Sequence, residues 1–198
     1  MKDFVSFFLV LVLITTFYTY LESKSLGVDY VVSKVDGKKY LVRNYEDKQE
    51  ACDLLARMTR RLKYLVNNLE SNMSEEDRKR LRKNFNEEAI SESSPGSTYT
   101  SYSINKGSKL VFCIRDREKG KPENLVDINT IMFVAIHELA HLATKSIGHT
   151  PEFWANMKFL LQTASKLELD NEIIYKPVKY SEKPQRYCGM TIHSSPLY

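Results

Sequence analysis

From residue 131 to residue 142 the chain is apolar at almost every position except where His137, Glu138 and His141 interrupt it. Ile131, Met132, Phe133, Val134, Ile136, Leu139 and Leu142 read as a buried helix within a longer helical stretch, residues 126–146. An unpaired polar group in an apolar surround costs roughly 2–7 kcal/mol, so such a helix does not ordinarily carry two imidazoles and a carboxylate without partners. The fold must therefore satisfy three polar groups on this segment, and no other feature constrains it as much. His137 and His141 are four residues apart, which on a helix puts them on one face about a turn from each other, where they can share one tetrahedral ion. Glu138 is placed to take a proton from a water on that ion. The pentapeptide His137-Glu138-Leu139-Ala140-His141 is thus an HExxH pattern, and hydrogen-bonded core histidines are the plainer alternative.

A catalytic zinc site takes three protein ligands and leaves a position open for water. The chain has four histidines, and three of them fall between positions 137 and 149. His149 follows His141 after Ile147-Gly148. A glycine there ends the helix and lets the chain reverse, returning His149 toward the metal before a new helix starts at Pro151. Glu152, Glu168 and Glu172 are the runner-up third ligands. His193, in an irregular tail, is another, and His149 as a surface residue near a cap is the bland reading. The cofactor this constellation calls for is Zn2+.

The rest of the chain reads as one domain of α+β class. With 198 residues, 42% hydrophobic and 27% charged, it suits a single folded unit. Residues 4–21 carry no charge and would span about 27 Å as a helix, which predicts an uncleaved transmembrane anchor over residues 1–23. A cleaved signal peptide is the rival, but Phe17, Tyr18 and Tyr20 at its end suit a membrane interface better than a cleavage site. The expected location is accordingly a membrane crossed once, with orientation open.

Residues 24–198 then form the soluble domain. Two β-prone runs, 28–32 and 39–43, flank Val35-Asp36-Gly37-Lys38, a hairpin signal. A first helix over residues 47–70 carries a stripe of Ala51, Leu54, Leu55, Met58, Leu62, Leu65, Val66 and Leu69. Ser74 opens a short basic helix, residues 75–84, through a capping box. Residues 91–100 read as a loop. Runs 99–104 and 109–115 make a second hairpin around Asn105-Lys106-Gly107-Ser108, with 109–115 as a candidate sheet edge beside the cleft, able to pair with an extended peptide. A charged loop with Gly120 and Pro122 precedes the metal helix. A last long helix covers 151–169, with Thr150 as N-cap and Pro151 first. Residues 175–198 are an irregular tail wrapped on the domain.

Three cysteines, Cys52, Cys113 and Cys188, are too few and too scattered for a disulfide framework, and all three read as reduced. They lean toward a reducing compartment, whereas the sequon Asn72-Met73-Ser74 leans toward a lumenal one. A net charge of +4 neither excludes nor indicates nucleic acid as a partner.

The segment HELAHLATKSIGHTPEFW, residues 137–154, resembles the HELAH…GH…FW signature of the WLM and SprT-like group of minimal zinc peptidases. It is similar in particular to uncharacterised WLM-like metallopeptidases of large DNA viruses. That likeness extends through KYLVR, DLLARM, YTSYS, LVFCIRDR and YCGM, over most of residues 28–197. The resemblance implies a small zincin-like domain of minimal gluzincin type, with two β-hairpins or a short sheet packed on the HExxH helix and two further long helices. It implies His137, His141 and His149 as metal ligands, Glu138 as base, and Phe153 and Trp154 as an aromatic pair packing the third-ligand helix. WLM enzymes place the third histidine six residues after the second, and here the gap is eight. Tyr187-Cys188-Gly189-Met190 reads as packing, with a methionine turn or a Tyr187 oxyanion donor as alternatives.

The activity expected is zinc-dependent endopeptidase hydrolysis of protein or peptide substrates. The alternative is a zinc-stabilised, non-catalytic, membrane-anchored binding module, which a fourth ligand such as Cys188 or His193 would favour. A structural membrane protein without metal is the third reading.

Overall fold

The computed structural model describes residues 2–25, 27–69, 73–117 and 123–198. Glu70, Asn72 of the sequon, and Gly120 and Pro122 of the charged loop lie outside them. The fold is α+β, with five α-helices among the described residues. Helix α1 spans Lys2–Ser25. The expected membrane anchor is corrected here: among the described residues no helix is long and apolar enough to cross a membrane. The described side chains of α1 run from Val5 to Tyr18. They include polar Ser6 as well as Thr15 and Thr16, whose hydroxyls donate back to the Val12 carbonyl at 3.0 and 2.8 Å. The single-pass membrane placement falls with the anchor.

Strands β1 (Val28–Val32) and β2 (Lys39–Arg43) pair antiparallel, Val28 opposite Arg43 and Val32 opposite Lys39, with the bounds the sequence predicts. In their turn only Gly37 takes a left-handed φ, +73°, while Asp36 contributes its carboxylate, accepting from the Lys38 amide at 3.1 Å. Helix α2 (Lys48–Asn67) buries the predicted stripe from Ala51 to Val66, and Leu69, past the helix end, is buried as well. Helix α3 (Glu75–Asn84) starts where Ser74 Oγ accepts from the Asp77 amide at 3.1 Å.

Strands β3 (Ile90–Glu92), β4 (Ser101–Ile104) and β5 (Lys109–Phe112) form one sheet in the order β3-β5-β4. This corrects two readings. β3 runs into the segment expected to be a loop, ending at Glu92, and it pairs parallel to β5. A three-residue strand whose partner arrives only after an intervening crossover leaves no local pattern. β5 is therefore the central strand, and β3 and β4 are the two edge strands among the described residues. Burying this sheet brings Glu92 inside, where its carboxylate accepts from the Arg43 amide at 2.7 Å and from Arg115 Nε at 2.8 Å. Arg115 also pairs with Asp47, and Arg43 with Glu123, so one buried carboxylate ties β2, β3 and β5 to the start of α2.

Helix α4 (Ile128–Ala143) is capped by Asp127, whose carboxylate accepts from the amides of Asn129 and Thr130 at 2.9 and 3.0 Å. It ends earlier than predicted because Thr144 turns extended and its hydroxyl donates to the Ala140 carbonyl at 2.7 Å. Helix α5 (Pro151–Ala164) has the expected Thr150 cap but stops before residue 169. The chain instead forms a small hairpin, β6 (Glu168–Leu169) and β7 (Glu172–Ile173), around Asp170 and Asn171, both at positive φ. α4 packs against α2, α3, α5 and β4, which puts the HExxH segment at the centre of the molecule.

The tail is more regular than expected: β8 (Gln185–Tyr187) and β9 (Met190–Ile192) form a hairpin turning at Cys188 and Gly189. Cys188 is bonded to Cys113, which follows β5 directly. This corrects the expectation that all cysteines are reduced; Cys52 is the free one, and it is buried. The two partners are 75 residues apart in sequence but 6.2 Å apart at Cα, a proximity that only the tertiary fold creates.

Candidate metal centre

Helix α4 sets His137, Glu138 and His141 by its own periodicity. The rings of His137 and His141 lie one turn apart, with centroids separated by 4.9 Å. His149 comes from the loop 144–150, where Gly148 adopts φ +85° and turns the chain back. Its ring stands 4.9 Å from that of His137 and 5.0 Å from that of His141. His149 Nε2 is 3.1 Å from His137 Nε2, and one ring nitrogen from each of the three lies within 4.8 Å of the others. Nitrogens bound tetrahedrally to zinc at about 2.0–2.1 Å stand about 3.3 Å apart, so this donor set fits that ion.

The loop is tied down on several sides. Glu152 accepts from the Lys145 amide at 3.1 Å and from Ser146 Oγ at 2.9 Å, and Ser146 Oγ is 2.8 Å from Thr150 Oγ1. Lys106, in the β4–β5 turn, donates to the carbonyls of Thr144 and Lys145 at 2.6 and 3.1 Å. These carbonyls lie at the C-terminal end of α4, where a cation complements the helix dipole. Behind the imidazoles sits Phe153, fully buried, with its ring centroid 4.9, 4.4 and 4.7 Å from those of His137, His141 and His149. Trp154 packs 5.1 Å from Phe153 and 5.6 Å from His149.

The runner-up ligands are engaged or placed elsewhere. Glu152 holds the loop, Glu172 pairs with Arg61, and Cys188 is in the disulfide. Among the described residues, the group able to hold a metal here consists of the three histidines, without Glu168 or His193.

Burial, with the neighbouring His141 and His149, pushes the His137 imidazole down to about 3. Burial, then His149 and Lys106, lowers His141 to about 4. Both rings are therefore neutral at pH 7, each with a lone pair to offer. Burial alone raises Glu138 to about 7, the range in which a carboxylate can both take and return a proton.

The site opens into a cleft of about 750 Å³. The β4 edge forms one wall, and Phe133 and Val134 of α4 lie beside His137. The tail hairpin closes another side through Tyr187, Met190 and Ile192. Tyr187 is buried, and its hydroxyl is 2.6 Å from Ser101 Oγ on β4. Lys106 and Ile192 carry no motif that sequence reasoning can find, whereas Ser101 lies in the YTSYS segment and Met190 in YCGM, the one sign that the tail reaches the site.

Over 168 residues the chain is 33% identical to the uncharacterized protein R325 of Acanthamoeba polyphaga mimivirus, covering 82% of this chain and 81% of that one. It is 40% identical over 72 residues to the uncharacterized protein 136R of Invertebrate iridescent virus 6, covering 36% and 39% of the two chains. It is 42% identical over 65 residues to the uncharacterized protein 042R of Invertebrate iridescent virus 3, covering 32% and 38%. No family model matches, and no solved structure matches. On the strength of the mimivirus alignment, which runs through most of both proteins, the chain belongs to the viral protein family that includes R325.

Proposed function

We propose that the chain is a zinc-dependent endopeptidase, with the metal held by His137, His141 and His149 and with Glu138 as general base. The observation that carries this reading is the convergence of three imidazole nitrogens, beside a buried carboxylate, in one open cleft. A bound zinc ion would supply Lewis-acid polarisation of a water and of a peptide carbonyl. Glu138 takes a proton from the attacking water and returns it to the leaving amide nitrogen, a task matched to a carboxyl raised to about 7. Phe153, packed on all three imidazoles, fixes their orientation. The outer edge of β4, unpaired among the described residues, offers backbone donors and acceptors to an extended peptide, which aligns a substrate with little demand on its sequence.

The likeness of residues 137–154 to the HELAH…GH…FW signature supports the finer assignment to the WLM and SprT-like group. A closed, non-catalytic zinc site needs a fourth protein ligand. The disulfide of Cys188 and the placement of His193 outside the cluster argue against one. The zinc-loaded full chain is expected to cleave casein, and Glu138→Gln to abolish cleavage while zinc content stays near one per chain. Retained cleavage in that variant refutes the role of Glu138; a zinc-bound but inert wild type refutes the peptidase reading.

A further inference from the structure

Within the cleft, chemistry is unevenly distributed. Phe133 and Val134 precede His137 by four and three residues, so α4 presents them on the same side as the histidine. On the tail hairpin, Met190 and Ile192 stand two residues apart along β9, and both line the cleft. Met190 is 51% exposed, a large apolar side chain left open to solvent on a cleft wall. Charge is nearly absent: among the described lining residues Glu138 is the one carboxylate, and the one lysine, Lys106, is committed to backbone carbonyls. A basic substrate side chain would find no carboxylate besides the general base, and an acidic one no uncommitted cation.

We infer that this wall is the specificity pocket, and that the enzyme selects peptides with a large apolar side chain next to the scissile bond, received between Phe133, Val134, Met190 and Ile192. The inference rests on the peptidase reading and adds the substrate class. Folded proteins bury large apolar side chains, so an extended strand that presents one beside the β4 edge is an unfolded or locally opened polypeptide. Met190 and Ile192 reach the pocket on a hairpin fastened to the core by the Cys113–Cys188 bond, so the wall is fixed in place.

The test is a quenched-peptide library randomised across the scissile bond, cleaved by the zinc-loaded full chain. Leu, Met or Phe at one flanking position is expected to raise kcat/KM about 10- to 100-fold over Gly, Asp or Lys. Met190→Lys is expected to cut that preference and admit Asp or Glu. Met190→Ala, which only truncates the side chain, guards against misfolding and is expected to weaken selection for the longest side chains. Cleavage with a flat profile, or a Met190→Lys profile identical to wild type with equal zinc content, overturns the inference and leaves the peptidase reading standing. Absence of cleavage of any peptide by zinc-bound wild type overturns both.

Discussion

Opening the Cys113–Cys188 bond is expected to destabilise the protein markedly and to loosen the cleft before the whole fold is lost. The bond spans 75 residues. Loop-closure entropy for such a span amounts to about 4.5 kcal/mol, an upper figure because residual structure in the unfolded chain reduces it. For a chain of this size, a change of 1 kcal/mol moves Tm by roughly 2–4 °C, so the full effect is about 9–18 °C. The hairpin that the bond fastens has strands of only three residues each, so little backbone pairing holds it once the bond is open. Thermal unfolding followed by circular dichroism, with and without a dithiol reductant, measures the shift. The Cys113→Ala/Cys188→Ala double variant should match the reduced wild type and be insensitive to reductant. Thiol titration in denaturant without reductant should find one thiol, that of Cys52. Three titratable thiols, or a midpoint moved by less than about 2 °C, would refute the reasoning.

Other consequences follow from the same contacts. Gly107 sits at φ +108°, and a Cβ there would lie 2.0 Å from the Asn84 carbonyl oxygen, so Gly107→Ala should cost roughly 2–4 kcal/mol in urea unfolding; a loss under about 0.5 kcal/mol contradicts this. Glu152→Ala removes the carboxylate that gathers the Lys145 amide and the Ser146 hydroxyl, freeing the His149 loop. Zinc affinity measured against a competing chelator should fall about 10-fold, and unchanged affinity would count against this role. Lys38 and Lys63 hydrogen-bond Glu87 and hold its carboxyl below the usual value of 4.5. Its contribution is full above the unfolded value and is lost as pH falls through the depressed folded one. The side chain is 26% exposed, so the amount is at most about 1 kcal/mol. Glu87→Gln should flatten that part of the acid limb of stability, and superimposable limbs would contradict it.

What the sequence disclosed was what short-range chemistry dictates. The β1–β2 hairpin, the Ser74 and Thr150 caps and the spacing of His137 and His141 each depend on residues within a few positions of one another. The features that escaped depend on distant partners. β3 is defined by a parallel neighbour, Glu92 is buried because Arg43 and Arg115 meet it there, and Cys113 finds Cys188 only after the tail has wrapped. The length, lack of charge and terminal aromatics of residues 4–21 predict an anchor, whereas among the described residues no helix is long and apolar enough to cross a membrane. His149 shows both sides. Gly148 announced a reversal, but the eight-residue gap is accommodated because Thr144 ends α4 at Ala143, leaving a loop long enough to bring the third imidazole round.

The central claim is a zinc ion held by three histidines with one position left for water. X-ray absorption at the zinc edge of the purified, zinc-loaded full chain tests it directly. The account predicts about one zinc per chain, with three imidazole nitrogens and one non-imidazole oxygen ligand near 2.0 Å, and one imidazole fewer in His149→Ala. A sulfur ligand, a fourth protein nitrogen, or a spectrum unchanged by His149→Ala would contradict it.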